Sequence, residues 1–138
     1  MAKSSIRAEL VALADYAMTA EDKKLSVIGI FDKLFVRSFP SSHARMSFVV
    51  TFVGEAGKEE KLKLKIVSPA DKEDFNADVN INFGDNGRFN FISNFEGFPF
   101  NEAGTYRFIF ELDGKEIVSY GLDVILVKEE GATAAKAN

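Results

Sequence analysis

The sequence predicts an all-β protein, an antiparallel β-sandwich of about eight strands. Three observations lead to this prediction: apolar and polar residues alternate along most of the chain, turn sequences separate the alternating segments, and helix-forming stretches are scarce. Alternation puts successive side chains on opposite faces of a strand, so that one face can meet the core while the other meets water. Many short strands of this kind, joined by turns, are typical of a sandwich or barrel.

The alternation is clearest in residues 61–66, where three lysines on one face oppose two leucines and one isoleucine on the other. The predicted strands cover residues 8–16, 24–36, 45–53, 60–67, 76–83, 88–95, 104–112 and 116–127. The Asn86-Gly87 and Asp113-Gly114 pairs between them are tight-hairpin sequences. Residues 68–74 carry a helix-start pattern, which allows at most one helical turn.

The chain of 138 residues has the common size of one domain. We predict one β-sandwich domain over residues 1–127 and a disordered tail over residues 128–138, which have no large apolar side chain. The net charge of -4 argues against a nucleic-acid partner, and the absence of cysteine excludes thiolate chemistry. No secretory signal or membrane-spanning segment is visible, which predicts a cytoplasmic protein without a membrane partner.

Phenylalanine is unusually frequent, with 14 residues against 3 tyrosines and no tryptophan, and many of them lie in residues 89–100. These side chains could fill the core, line an apolar pocket for a small molecule, or stay exposed as a protein contact. Core filling is favoured for most of them. The candidate interaction surface within this segment consists of Phe95, Phe98 and Phe100.

One carboxylate, Asp32, lies within the apolar run of residues 25–36. On the apolar face of a regular strand, an unpaired carboxylate would cost several kcal/mol or become neutral. We therefore predict a break in register between Gly29 and Lys33, through a bulge or a corner at which the strand changes sheets. Asp32 would then cap backbone N–H groups or pair with a basic side chain.

His43, the one histidine, has Ser41, Ser42 and Arg45 nearby in sequence. A hydrolase would need a nucleophile and an acid that converge on this imidazole, and no nucleophile motif accompanies it. The favoured interpretation is a loop histidine that caps or hydrogen-bonds to the backbone at the start of a strand.

Two charge patterns are candidates for binding. The acidic turns lack the regular spacing of a calcium loop, so we predict no metal and no cofactor. The lysine row Lys61, Lys63 and Lys65 is typical of a strand face that is kept soluble and protected against edge pairing. It is a less convincing nucleic-acid stripe, because no aromatic platform accompanies it.

Several motifs together resemble a family of bacterial proteins known only as a domain of unknown function. The motifs lie at residues 13–17, 24–32, 38–40, 98–106 and 113–114. The resemblance spans roughly residues 8–127 and implies a β-sandwich without a known activity, cofactor or catalytic residue. The Gly-Thr-Tyr and Asp-Gly elements recur in many immunoglobulin-like sandwiches, so an immunoglobulin-like or C2-like arrangement is expected.

Within these motifs we predict structural rather than catalytic roles for Asp15, Gly29, Asp32, Pro40 and His43. The predicted function is that of a non-enzymatic β-sandwich, a structural or interaction module whose partner is another protein or a second copy. The alternative is a small-molecule binder with an apolar pocket beside residues 89–100, and a hydrolase that uses His43 is less favoured.

Overall fold

The structure, a computed structural model, describes residues 6–127, and its regular elements are nine β-strands. The strands are β1 (Arg7–Thr19), β2 (Leu25–Ile30), β3 (Lys33–Val36), β4 (Ser41–Val53), β5 (Glu59–Val67), β6 (Glu73–Asn82), β7 (Arg88–Phe100), β8 (Gly104–Leu112) and β9 (Lys115–Leu126). The predicted helical turn at residues 68–74 is instead a hairpin turn, closed by a 2.8 Å bond from the Asp71 N–H to the Ser68 carbonyl. The predicted tail, residues 128–138, lies outside the described residues.

The strands form two sheets, with the order β2-β1-β4-β7 in the first and β3-β9-β8-β5-β6 in the second. Neighbouring strands are antiparallel, except that β3 runs parallel to β9. The predicted all-β sandwich is confirmed.

Aromatic side chains from both sheets meet in the core. The ring centroids of Phe48 in the first sheet and Phe108 in the second are 5.1 Å apart. The Phe52 and Phe110 rings meet edge to face, with 5.0 Å between centroids. All four are fully buried. Edge-to-face contacts of this kind add to the free energy gained by burying the rings.

The predicted strand at residues 24–36 is two strands, because β2 belongs to the first sheet and β3 to the second. The predicted break between Gly29 and Lys33 is therefore confirmed as a change of sheet. Backbone bonds anchor the crossing on both sides: the Phe31 N–H donates to the Leu13 carbonyl, and the Asp123 N–H donates to the Asp32 carbonyl, both at 2.9 Å.

A tyrosine hydroxyl also anchors the crossing. The Tyr120 hydroxyl of β9 donates to the Phe31 carbonyl at 2.8 Å. Burial raises the pKa of this phenol above its usual value, so the hydroxyl keeps the proton that it donates.

Tyr106, near the start of β8, is fully buried, and its hydroxyl bonds back to the preceding turn. The hydroxyl accepts from the N–H groups of Asn101 (3.0 Å) and Glu102 (3.2 Å) and donates to the Glu102 carbonyl (3.3 Å). This arrangement is a tyrosine corner.

The expected protection of an edge by the lysine row is wrong, because β5 lies between β8 and β6 and is not an edge strand. Lys65 instead bonds to Glu111 on β8, and its ammonium lies 3.1 Å from Glu73 on β6. These two hydrogen bonds raise the pKa of Lys65. Lys63 pairs with Asp78 on β6 at 3.5 Å. Lys63 and Lys65 therefore link neighbouring strands within the second sheet.

Candidate functional site

The outer side of β2 is an edge of the first sheet, with no neighbouring strand among residues 6–127. Its sequence, Leu-Ser-Val-Ile-Gly-Ile, contains no charge. The other three edge strands, β7, β3 and β6, each contain charged residues. Charges on an edge discourage the addition of another strand. β2 is therefore an edge without charged side chains to discourage strand addition.

Large apolar side chains are exposed beside this edge. Ile28 and Ile30 of β2 are each 60% exposed, and they lie opposite Tyr16 and Ala14 in the ladder with β1. Opposite residues in an antiparallel pair share a face, and this face points away from the core. Tyr16, Met18, Ile28 and Ile30, all on this face, are called the hairpin patch below.

The guanidinium of Arg45 on β4 lies 5.1 Å from the centroid of the Tyr16 ring. This distance is suitable for a cation–π contact. The contact gives the apolar hairpin patch a basic border on the side of β4.

Three of the residues with predicted structural roles lie together on neighbouring strands of the first sheet: Asp15 on β1, Gly29 on β2 and His43 on β4. Gly29 has a φ of +74°, and an added Cβ would lie 2.7 Å from Oδ2 of Asp15. Oδ1 of Asp15 lies 3.4 Å from Nε2 of His43. The His43 ring also contacts Phe31, with 5.3 Å between centroids. Asp15, Gly29 and His43 thus form one cluster beside the sheet crossing.

The surroundings of His43 differ from the expectation. It lies within β4 rather than in a loop, and its hydrogen-bonding partner is the Asp15 carboxylate rather than the backbone. In the described part of the chain, neither Ser41 nor Ser42 is hydrogen-bonded to the imidazole. The cluster therefore has an acid and an imidazole without an attached hydroxyl nucleophile.

Asp32 and Pro40 flank this region. The Asp32 side chain is 70% exposed, and the nearest basic group is the ammonium of its neighbour Lys33, at 3.9 Å. An exposed pair of this kind contributes little stability. Pro40 is exposed just before β4, and the Phe39–Pro40 peptide bond is cis.

The candidate surface of Phe95, Phe98 and Phe100 is placed in the core instead. Phe100 is fully buried and Phe95 nearly so, and Phe98 packs between them at 5.3 and 5.9 Å between centroids. The physical reason is Gly97, whose φ of +68° interrupts the alternation of β7. Phe95 and the two later phenylalanines can then point to the same side, although simple alternation would separate them.

A depression beside the phenylalanine-rich segment is lined mostly by polar residues. It has a volume of about 750 Å³ and is lined by Thr19, Lys23, Thr51, Asn82, Gly84, Asn86, Arg88, Phe89 and Asn90. Two of its polar groups bond to other protein groups: the Thr51 hydroxyl donates to Asn90 at 2.6 Å, and Arg88 binds Glu9.

Two acidic side chains at the β5–β6 connection are paired with bases. Asp71 lies 3.7 Å from Arg107, and Glu73 binds Lys65. Across residues 6–127, no three acidic or histidine side chains converge in a way that could hold a metal ion. The same residues include no helix long and apolar enough to cross a membrane.

Sequence reasoning missed the hairpin patch. The sequence feature that could have revealed it is the run of residues 25–30, where both faces of the strand are apolar. On an edge strand such a pattern leaves one apolar face uncovered. Phe35 on β3 is exposed to 65% and Leu126 on β9 to 43%. The exposed large apolar side chains of the described chain thus lie on β1, β2, β3 and β9.

Two packed sheets, a strand that crosses between them and a tyrosine corner define an immunoglobulin-like β-sandwich. The chain belongs to a family of unknown function, DUF6941, whose model matches residues 9–125. This confirms the predicted resemblance. Comparison with curated proteins gives no match.

Solved structures show distant similarity. An immunoglobulin-like protein from Pseudomonas aeruginosa, PA1606, has 11% identity and a TM-score of 0.48, with 87% of this chain and 96% of that chain covered. A β-glucosidase from Listeria innocua in complex with glucose has 8% identity and a TM-score of 0.49. That alignment covers 89% of this chain and 16% of the glucosidase. At such identities and scores, neither similarity bears on function.

Proposed function

We propose that this protein is a non-enzymatic interaction module that binds a protein partner by strand addition at the outer side of β2. The observation that carries the proposal is the uncharged edge of β2 with Ile28 and Ile30 exposed beside it. In strand addition the main chain of the partner satisfies the backbone groups of the edge, while side-chain contacts give specificity.

The hairpin patch adds an apolar contribution to such binding. Full burial of an exposed isoleucine is worth roughly 1.5–3 kcal/mol, and Ile28 and Ile30 retain most of that surface to bury. Tyr16 and Met18 extend the same face onto β1. A partner strand beside β2 would therefore gain both backbone hydrogen bonds and apolar contacts.

The surroundings of His43 support a non-enzymatic role. The imidazole has a carboxylate beside it, but the attached hydroxyl that nucleophilic catalysis requires is not bonded to it in the described chain. In the depression beside Phe89, the Thr51 hydroxyl already bonds to Asn90 and the Arg88 guanidinium to Glu9.

The test compares Ile28→Lys with Asn80→Lys, a matched control at an exposed position on the edge strand β6. Proteins that bind the immobilised full chain are cross-linked, and the contact sites are mapped by mass spectrometry. We expect partner cross-links at residues 25–30, lost in Ile28→Lys and retained in Asn80→Lys. Equal cross-linking in both variants, or contacts that map elsewhere, would refute the proposal.

A further inference from the structure

We propose further that the depression beside Phe89 is a binding site for a small oxyanion, a molecule that carries a carboxylate or a phosphate group. The depression has a volume of about 750 Å³, which is within the usual range of small-molecule sites. Thr19 and Lys23 belong to the end of β1 and the turn after it, and Asn82 and Asn86 to the end of β6 and the loop after it. The inference does not depend on strand addition, because the lining contains no residue of β2.

The charges of the lining favour an anion. Seven of the nine lining residues have polar or charged side chains, and of these two are bases and none is an acid. The charge of Arg88 is balanced by Glu9, to which it is hydrogen-bonded. The ammonium of Lys23 has no ion-pair partner among residues 6–127. Within the lining, Lys23 therefore provides the positive charge for a ligand.

Two asparagines of the lining add hydrogen-bond donors to this charge. Oδ1 of Asn90 accepts from the Thr51 hydroxyl at 2.6 Å, and Oδ1 of Asn86 accepts from the backbone N–H of Arg88 at 3.2 Å. The amide nitrogen of each side chain can only donate, and it has no partner in the described part of the chain. The protein thus uses the oxygens of these two amides and leaves their N–H groups for a ligand. Donors beside an ammonium suit an oxyanion, whose oxygens can only accept.

Acidic residues lie in the same two connections but outside the lining, at Glu21, Asp22 and Asp85. Asp22 pairs with Lys24 at 3.8 Å. All three acids are exposed, so water screens their charges. They still reduce the attraction of an anion from a distance, and we therefore expect dissociation constants in the millimolar range.

Backbone hydrogen bonds hold both connections in place. In the β6–β7 loop, the Gly54 N–H donates to the Gly87 carbonyl at 2.8 Å, and the Gly87 N–H donates to the Gly84 carbonyl at 2.9 Å. In the β1–β2 turn, the Lys23 N–H donates to the Ala20 carbonyl at 2.9 Å. Because the backbone of the site is already ordered, a ligand would bind at a small cost in chain entropy.

The experiment follows the amide chemical shifts of the isotope-labelled full chain by NMR, at neutral pH and constant ionic strength. The probes are glucose-6-phosphate, glucuronate and glucose, which share a sugar ring and carry a phosphate, a carboxylate or no charge. We expect an anion to shift the amides of residues 19–24 and 82–90 and glucose to leave them unchanged. The anion that binds more tightly identifies the preferred oxyanion. No shift with either anion, or an equal shift with glucose, would overturn the inference.

Two variants test the lining itself. Lys23→Gln removes the charge, and we expect the dissociation constant of the tighter anion to rise by roughly tenfold. Asn82→Asp puts a carboxylate into the lining, and we expect it to abolish the binding of both anions. The matched controls Lys72→Gln and Asn101→Asp make the same charge changes at exposed positions outside the lining and should bind like the native chain. Native-like binding by Lys23→Gln, or equal weakening in a lining variant and its control, would refute the site.

Discussion

Gly29 adopts a φ of +74° at the end of β2, with the Asp15 carboxylate directly over its Cα. A side chain at this position would meet two difficulties: a left-handed backbone that L-residues adopt at a cost, and the oxygen of Asp15. The left-handed backbone could be expected from a glycine inside an apolar strand pattern. The contact with Asp15 depends on how β1 packs beside β2, which the order of residues does not show.

We predict that Gly29→Ala lowers the free energy of unfolding by more than the roughly 1–2 kcal/mol typical of a left-handed alanine. Gly57→Ala is the matched control, because Gly57 has a similar φ of +76° and open space around it. Urea denaturation of both variants measures the difference. In an Asp15→Ala background the excess loss at Gly29 should shrink, because Oδ2 and Cγ of Asp15 are removed while its Cβ, 3.2 Å away, remains. Equal losses in the native background would contradict the role assigned to Asp15.

At the scale of elements, the first sheet is braced by a pair that spans one strand. Arg88 at the start of β7 binds the Glu9 carboxylate of β1 through both of its terminal nitrogens, with β4 lying between the two strands. The hydrogen bond from Arg88 lowers the pKa of Glu9 from its usual value of 4.5. Such two-point contacts are geometrically specific.

This pair predicts a pH dependence of stability. Because the folded pKa of Glu9 lies below the unfolded value, the pair stabilises the protein above pH 4.5, and that stabilisation is lost as pH falls through the folded pKa. The native chain should therefore lose more stability than Glu9→Gln when it is acidified from about pH 6 to about pH 3. Urea midpoints across this range provide the measurement.

Arg88→Gln, which removes the other half of the pair, serves as the companion variant. It should show the same reduced acid sensitivity as Glu9→Gln, because both variants remove the same interaction. An acid response identical to that of the native chain in either variant would show that the pair does not contribute.

Across the whole molecule, apolar side chains are distributed unevenly. Phenylalanines from both sheets fill the interior, whereas large exposed apolar side chains lie on β1, β2, β3 and β9. Phe100 and Phe35 represent the two environments: Phe100 is fully buried against Phe98 and Tyr106, while Phe35 is 65% exposed on β3. The same substitution in the two places should therefore have different effects.

We predict that Phe100→Ala lowers the free energy of unfolding by about 3–5 kcal/mol, since it leaves a cavity among aromatic rings. Phe35→Ala should change it by less than about 0.5 kcal/mol. Both are measured by urea denaturation at a concentration where the chain is monomeric. A small loss for Phe100→Ala would mean that the phenylalanine-rich segment is not part of the core.

Much of the fold could be predicted from alternation and turn residues, because both act over a few neighbouring residues. The carboxylate of Asp32 within an apolar run was enough to predict the sheet crossing, since the cost of desolvating a charge does not depend on the fold. Local alternation could not show whether Phe95, Phe98 and Phe100 are buried or exposed. Their burial depends on the irregularity at Gly97, which reverses the alternation of β7.

The all-β class, the position of the crossing and the family could all be recognised in the amino-acid sequence, because local patterning and short motifs specify them. Which strands are edges, and therefore what the surface offers, became known only from the assembled sheets. Alternation within a strand has no bearing on strand order: the lysine row lies on β5, an interior strand, while the uncharged β2 is an edge. Strand order is set by pairing between segments distant in the chain, so an exposed edge becomes visible only once the sheets are assembled.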